Sequence, residues 1–102
     1  MRGKDNMIRI EIITNQSVYS ELKDNLEACI PNFLYTVIPL VYGRGGDSYK
    51  LGDSTWPETN VMLIAYAEDN AEQKVSQVVR YIKAKFPTEG IKMFVLHDSA
   101  SN

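Results

Sequence analysis

The string Gly43-Arg44-Gly45-Gly46 is where this sequence comes nearest to chemistry. Glycines turn successive backbone N–H groups toward one point, and an arginine among them adds a permanent forked cation beside those donors. Such a run offers binding of an anion, a phosphate or a carboxylate. The same composition also serves plain flexibility, and the string alone does not decide between the two. It opens an eighteen-residue stretch, Gly43 to Asn60, that holds four of the six glycines of the chain. Connections longer than about 12 to 15 residues are usually functional or disordered in a small domain. The stretch closes on Trp56-Pro57-Glu58-Thr59-Asn60, whose aromatic ring and rigid proline suit an ordered return, with Trp56 packing down the base of the loop.

Other reactive residue types are sparse. His97 is the only histidine and Cys29 the only cysteine, so no GxSxG, HExxH or CxxC constellation is present and no internal disulfide can form. The simplest expectation for Cys29 is a small apolar residue near a helix end, and for His97 a structural residue just after the last strand. Asp47, Asp53 and Glu58 could gather a hard cation, but their spacing matches no calcium-loop pattern. A catalytic role has no residue set to carry it.

The chain has 102 residues, 44% of them hydrophobic and 24% charged, with a net charge of −2. That is one globular domain with a single core. The charge leaves no basic surplus for a phosphate backbone, so nucleic acid is not expected as a partner. No apolar stretch has membrane-spanning length and no signal-peptide pattern opens the chain, so the expected location is cytoplasmic.

Four strands and two helices must position these residues. Met7 to Thr14 alternates, with Ile8, Ile10 and Ile12 on one face and Arg9 and Glu11 on the other, as a half-buried strand does. Asn15 or Ser17 can cap a helix in which Val18, Leu22, Leu26 and Cys29 or Ile30 recur until Pro31 stops it. Phe33 to Tyr42 is an apolar strand whose Pro39 belongs at a sheet edge or a bulge. Val61 to Ala67 reads as a strand buried on both faces. Asp69 and Glu72 have capping-box spacing before a helix with the stripe Ala71, Val75, Val78, Val79, Ile82 and Phe86. Pro87 ends it, Thr88-Glu89-Gly90 turns, and Ile91 to Leu96 is the last strand.

The order predicts an α+β, ferredoxin-like βαββαβ fold, an antiparallel four-stranded sheet with two helices on one face. Residues 1–6 are expected to be a disordered N-terminal segment, 7–98 the domain, and 99–102 a tail. Two helices cover one sheet face only, whereas strands two to four are apolar at both parities. The second face must therefore be covered too, which predicts a homo-oligomer with sheets facing inward and clefts between subunits.

Here the residues carry a resemblance. The element order, the long loop after strand two, Thr36-Val37 leading through that strand to Tyr42-Gly43-Arg44, and the late Gly90-Ile91-Lys92-Met93-Phe94-Val95 together resemble the nitrogen regulatory PII proteins. The divergent PII-like signalling proteins are the nearer match, over roughly residues 7 to 98. The resemblance implies a homotrimer with three intersubunit clefts that bind an adenine nucleotide as effector. It also implies a T-loop, at 43–60, that changes shape to dock on a target protein such as a transporter or an enzyme. By matching position, Thr36 would lie near the base. Gly43, Arg44, Gly45 and Gly46 would form the T-loop root near the phosphates, while Gly90 and Lys92 would supply a smaller loop's backbone and its cation.

The chain departs from that pattern. It has Ile91 where the family has a glycine before the lysine, a shorter small loop, and no matching arginine segment after the last strand. AMP, a cyclic nucleotide, or a carboxylate or bicarbonate anion is therefore as consistent as ATP. Tyr49 lacks the surroundings of the family's modification site, so uridylylation is not expected. The expectation is a non-enzymatic regulator. The alternative is a trimeric metal-binding protein of the divalent-cation tolerance type, which would need loop acids, His97 or Cys29 to converge across subunits.

Overall fold

The computed structural model describes residues 7–42 and 59–97. The order is β1 (Met7–Asn15), a short 3-10 turn (Gln16–Val18), α1 (Tyr19–Cys29), β2 (Thr36–Val41), β3 (Asn60–Glu68), α2 (Ala71–Lys85) and β4 (Ile91–His97). The strands form one sheet in the order β2-β3-β1-β4, and every neighbouring pair is antiparallel. Each βαβ unit thus brackets a strand of the other, which is the interleaved ferredoxin-like arrangement expected.

Period-two alternation decides which face each residue takes. Ile8, Ile10, Ile12 and Thr14 of β1 are buried and pair with Ala67, Ala65, Leu63 and Val61 of β3. Beneath them lie Val18, Leu22 and Leu26 from the first helical segment and Val75, Val78, Val79 and Ile82 from α2. Both helices therefore cover this one face.

The opposite face is open. It carries Glu11, Ile13, Met62 and Ile64 half-buried, with Ile38, Tyr66, Phe94 and Leu96 exposed. In the single chain β3 is consequently buried on one face, not both; Tyr66 is 61% exposed. Composition made both parities apolar, but only one parity meets a helix.

Two local expectations are corrected, the extent of the second strand and the capping box before α2. The run Phe33 to Tyr42 contributes to the ladder only over Thr36–Val41. Pro31 and Asn32, the latter at φ 59, turn the chain, and Phe33 and Tyr35 stack at 5.7 Å against the end of α1 instead. There the Tyr35 hydroxyl donates to Glu27 Oε2 at 2.5 Å. α1 ends at Cys29, and of the two stripe candidates Ile30, its C-cap, is the one partly buried against the core, while Cys29 is exposed. At the start of α2, Asp69 gives its backbone carbonyl to the Glu72 N–H at 3.2 Å. The Glu72 carboxylate faces His97 Nε2 at 3.7 Å instead of capping.

Pro39 lies where expected. β2 is an edge strand, and its register against β3 shifts between Ile38 and Val41. The missing N–H of proline is accommodated by this bulge.

Candidate functional site

The end of the sheet from which the long connection leaves is the chemically richest part of the molecule. Antiparallel pairing brings Val41 of β2 opposite Asn60 of β3, Asn60 opposite Asn15 of β1, and Thr14 opposite Ile91 of β4. Tyr42 and Thr59, the last described residues on either side of the connection, therefore share this end with the 3-10 turn and with the turn 87–90.

Hydrogen bonds lace these segments together. The Asn15 side chain accepts from the Ser17 N–H at 2.8 Å, which organises the 3-10 turn in the manner of an Asx cap. The Gln16 N–H donates to the Thr59 carbonyl at 3.0 Å, and Thr59 Oγ1 donates to Gln16 Oε1 at 2.8 Å. Gln16 Nε2 lies 3.5 Å from the Pro39 carbonyl. On the other side, Ser17 Oγ donates to Glu89 Oε1 at 2.8 Å, and the Asn15 N–H donates to the Gly90 carbonyl at 2.8 Å. Thr14, fully buried, places Oγ1 at 3.4 Å from that same carbonyl.

The expected ligand residues fall into three places. Thr36 is exposed at the start of β2, paired with Ile64. Gly90 immediately precedes β4, with no atom within 4 Å of where a Cβ would stand. Lys92 is exposed on β4, paired with Ile13. Thr36 and Lys92 thus share the open face but stand on opposite edges, three strand spacings or roughly 14 Å apart across the ladder. One chain does not bring them together. Gly43, Arg44, Gly45 and Gly46 lie outside the described residues, as do Asp47, Tyr49, Asp53, Trp56 and Glu58 and the segments 1–6 and 98–102.

Sequence patterns did not single out Gln16, Ser17, Thr59 and Glu89, which build the lacing. Their partners are 43 and 72 residues apart in the chain. Nor did they single out the polar cluster at the far end of the open face. There Arg9 Nε donates to Glu11 Oε2 at 2.7 Å, and Nη1 donates to the Tyr66 hydroxyl at 2.8 Å. The guanidinium also lies 5.6 Å from the Tyr66 ring centroid, so that cation is engaged within the chain.

Among the described residues no three His, Cys, Asp or Glu side chains gather where they could hold a metal ion, and no helix is long and apolar enough to cross a membrane.

No protein-family model and no curated protein matches the chain. Solved structures do. A PII-like signalling protein of Thermus thermophilus superposes with a TM-score of 0.62 at 14% identity, over 91% of this chain and 87% of that one. CPII of Thiomonas intermedia, bound to ADP, AMP and acetate, gives 0.64 at 18% identity over 91% and 86%. The GlnK–ATP complex of B. subtilis gives 0.57 at 13% over 96% and 87%. The chain therefore has the ferredoxin-like fold of the PII-like signalling proteins.

Proposed function

We propose that this chain is a non-enzymatic PII-like regulator, a homotrimer that binds a small anionic effector in clefts between its subunits. The observation that carries this reading is the placement of Thr36 and Lys92 on opposite edges of one apolar, open sheet face. A cleft that uses both edges needs a second chain, and covering Ile38, Tyr66, Phe94 and Leu96 supplies the drive to recruit one. In that cleft Gly90 contributes backbone and Lys92 a cation. Gly43, Arg44, Gly45 and Gly46 contribute the donors of the T-loop root, and Thr36 lines the base.

The effector class is supported by what structurally similar proteins hold: ADP, AMP and acetate or bicarbonate in CPII, and ATP in GlnK. An adenine nucleotide, AMP included, or a carboxylate anion fits the glycines, Arg44 and Lys92. Ligand affinity that differs between states of the loop would then change the surface offered to a target protein.

The test combines mass in solution with thermal shift against ATP, ADP, AMP, cyclic AMP, acetate and bicarbonate. A ligand at about 100 times its Kd should stabilise by about 2.7 kcal/mol, and Arg44→Ala or Lys92→Ala should abolish the shift. A monomeric mass, or a shift with divalent cations alone, would overturn the reading.

A further inference from the structure

Three consecutive residues, Asn15, Gln16 and Ser17, hold both walls of the site proposed above. Toward β3, Gln16 makes two bonds to Thr59, one from its backbone N–H at 3.0 Å and one accepted by its side chain at 2.8 Å. Toward β2, its amide nitrogen lies 3.5 Å from the carbonyl of Pro39, inside the bulge where the β2–β3 register shifts. Both stems of the β2–β3 connection thus meet one side chain. Toward β4, Ser17 holds the Glu89 carboxylate at 2.8 Å and Asn15 holds the Gly90 carbonyl at 2.8 Å.

The turn that carries these contacts is tied at both ends. Its own Asn15-to-Ser17 bond closes it, and Val18, 2% exposed, pins its far end in the core. Glu89 is thereby joined to Thr59 through two hydrogen bonds and two adjacent residues, Ser17 and Gln16.

We infer that the Asn15–Ser17 turn is a mechanical link between the turn 87–90 and the stems of the β2–β3 connection, with Gln16 the positioning residue on one side and the Ser17–Glu89 tie on the other. The inference rests on the proposed anion site for its regulatory meaning. Ligand drawn to Gly90 and Lys92 biases the stems through this link, and by reciprocity the state of the stems biases ligand affinity. The side-chain contacts are exposed hydrogen bonds, each individually weak, which suits a link that must be exchanged and not merely held.

The reporter is the Gln16 amide proton, bonded to Thr59 and followed by hydrogen exchange in the full chain without ligand. Glu89→Ala should raise its exchange rate by about fivefold or more. Glu89→Gln, which keeps an oxygen for Ser17 to donate to, should restore the slow rate. The amides of Ile10 and Ile12 serve as the control for global stability. Unchanged Gln16 exchange in Glu89→Ala, or a rise equal to that at Ile10 and Ile12, overturns the link. A second arm titrates ADP, AMP and bicarbonate and follows the Thr59 amide shift, which should respond in the wild type and lose its response in Glu89→Ala. If no probe binds the wild type, the proposed function fails on that result alone, while the exchange comparison still decides the link.

Discussion

Thr36 and Lys92 share the open face of the sheet and stand on its two opposite edges, at β2 and β4. A site built from both residues must then be assembled from two copies of the chain. Co-expressing a Thr36→Ala chain with a Lys92→Ala chain should yield mixed oligomers in which some clefts receive both wild-type residues. Either variant alone should lose most effector binding, and the mixture should regain a minority of sites at wild-type affinity, measured by titration calorimetry. No recovery in mixtures that mass spectrometry shows to be mixed would place the two residues in separate sites.

The exposed ring of Phe94 lies on the same open face, opposite Glu11 across the ladder. Phe94→Asp should dissociate the assembly while leaving the helix-face core intact. Light scattering should report the smaller mass and circular dichroism an unchanged fold. Burying a phenylalanine is worth about 1.5 to 3 kcal/mol, so the loss across several interfaces should be large. A variant that keeps the wild-type mass would show that this face is not the interface.

How far the sequence could be read follows from which forces are local. Ile8, Ile10 and Ile12 declared one face of β1 by alternation alone, and Val75, Val78, Val79 and Ile82 did the same for α2. Pro31 and Pro87 end their helices by backbone chemistry that needs no context. Phe33, Tyr35 and Asp69 depart from their local patterns because they engage partners that those patterns do not encode. The site divides the same way. Gly43 to Gly46 is conspicuous by composition and lies outside the described residues, whereas the bonds of Gln16 to Thr59 and of Ser17 to Glu89 leave no periodic trace.

Tyr35 gives a prediction in pH. Its hydroxyl donates to Glu27, and that bond, with smaller contributions from burial and neighbouring carboxylates, pushes its pKa from 10.0 up to about 12. The folded state thus holds this proton more tightly than the unfolded chain does. The stabilisation is complete below the unfolded value near pH 10 and is lost as pH rises from there through about 12. Glu27→Ala should move the Tyr35 midpoint back toward 10, read from the ring carbon shifts of labelled tyrosine. A midpoint that stays near 12 in this variant would assign the shift to burial instead.

Pro39 carries a last consequence, one for solubility. An open sheet has two free borders, and a regular border is a template on which further strands can be added without end. With a proline and a register shift in it, β2 is an irregular border for an incoming strand. β4, seven residues with no proline, is a regular one. A chain with one regular border and one irregular border is poorly suited to stacking copies edge to edge into a continuous ribbon.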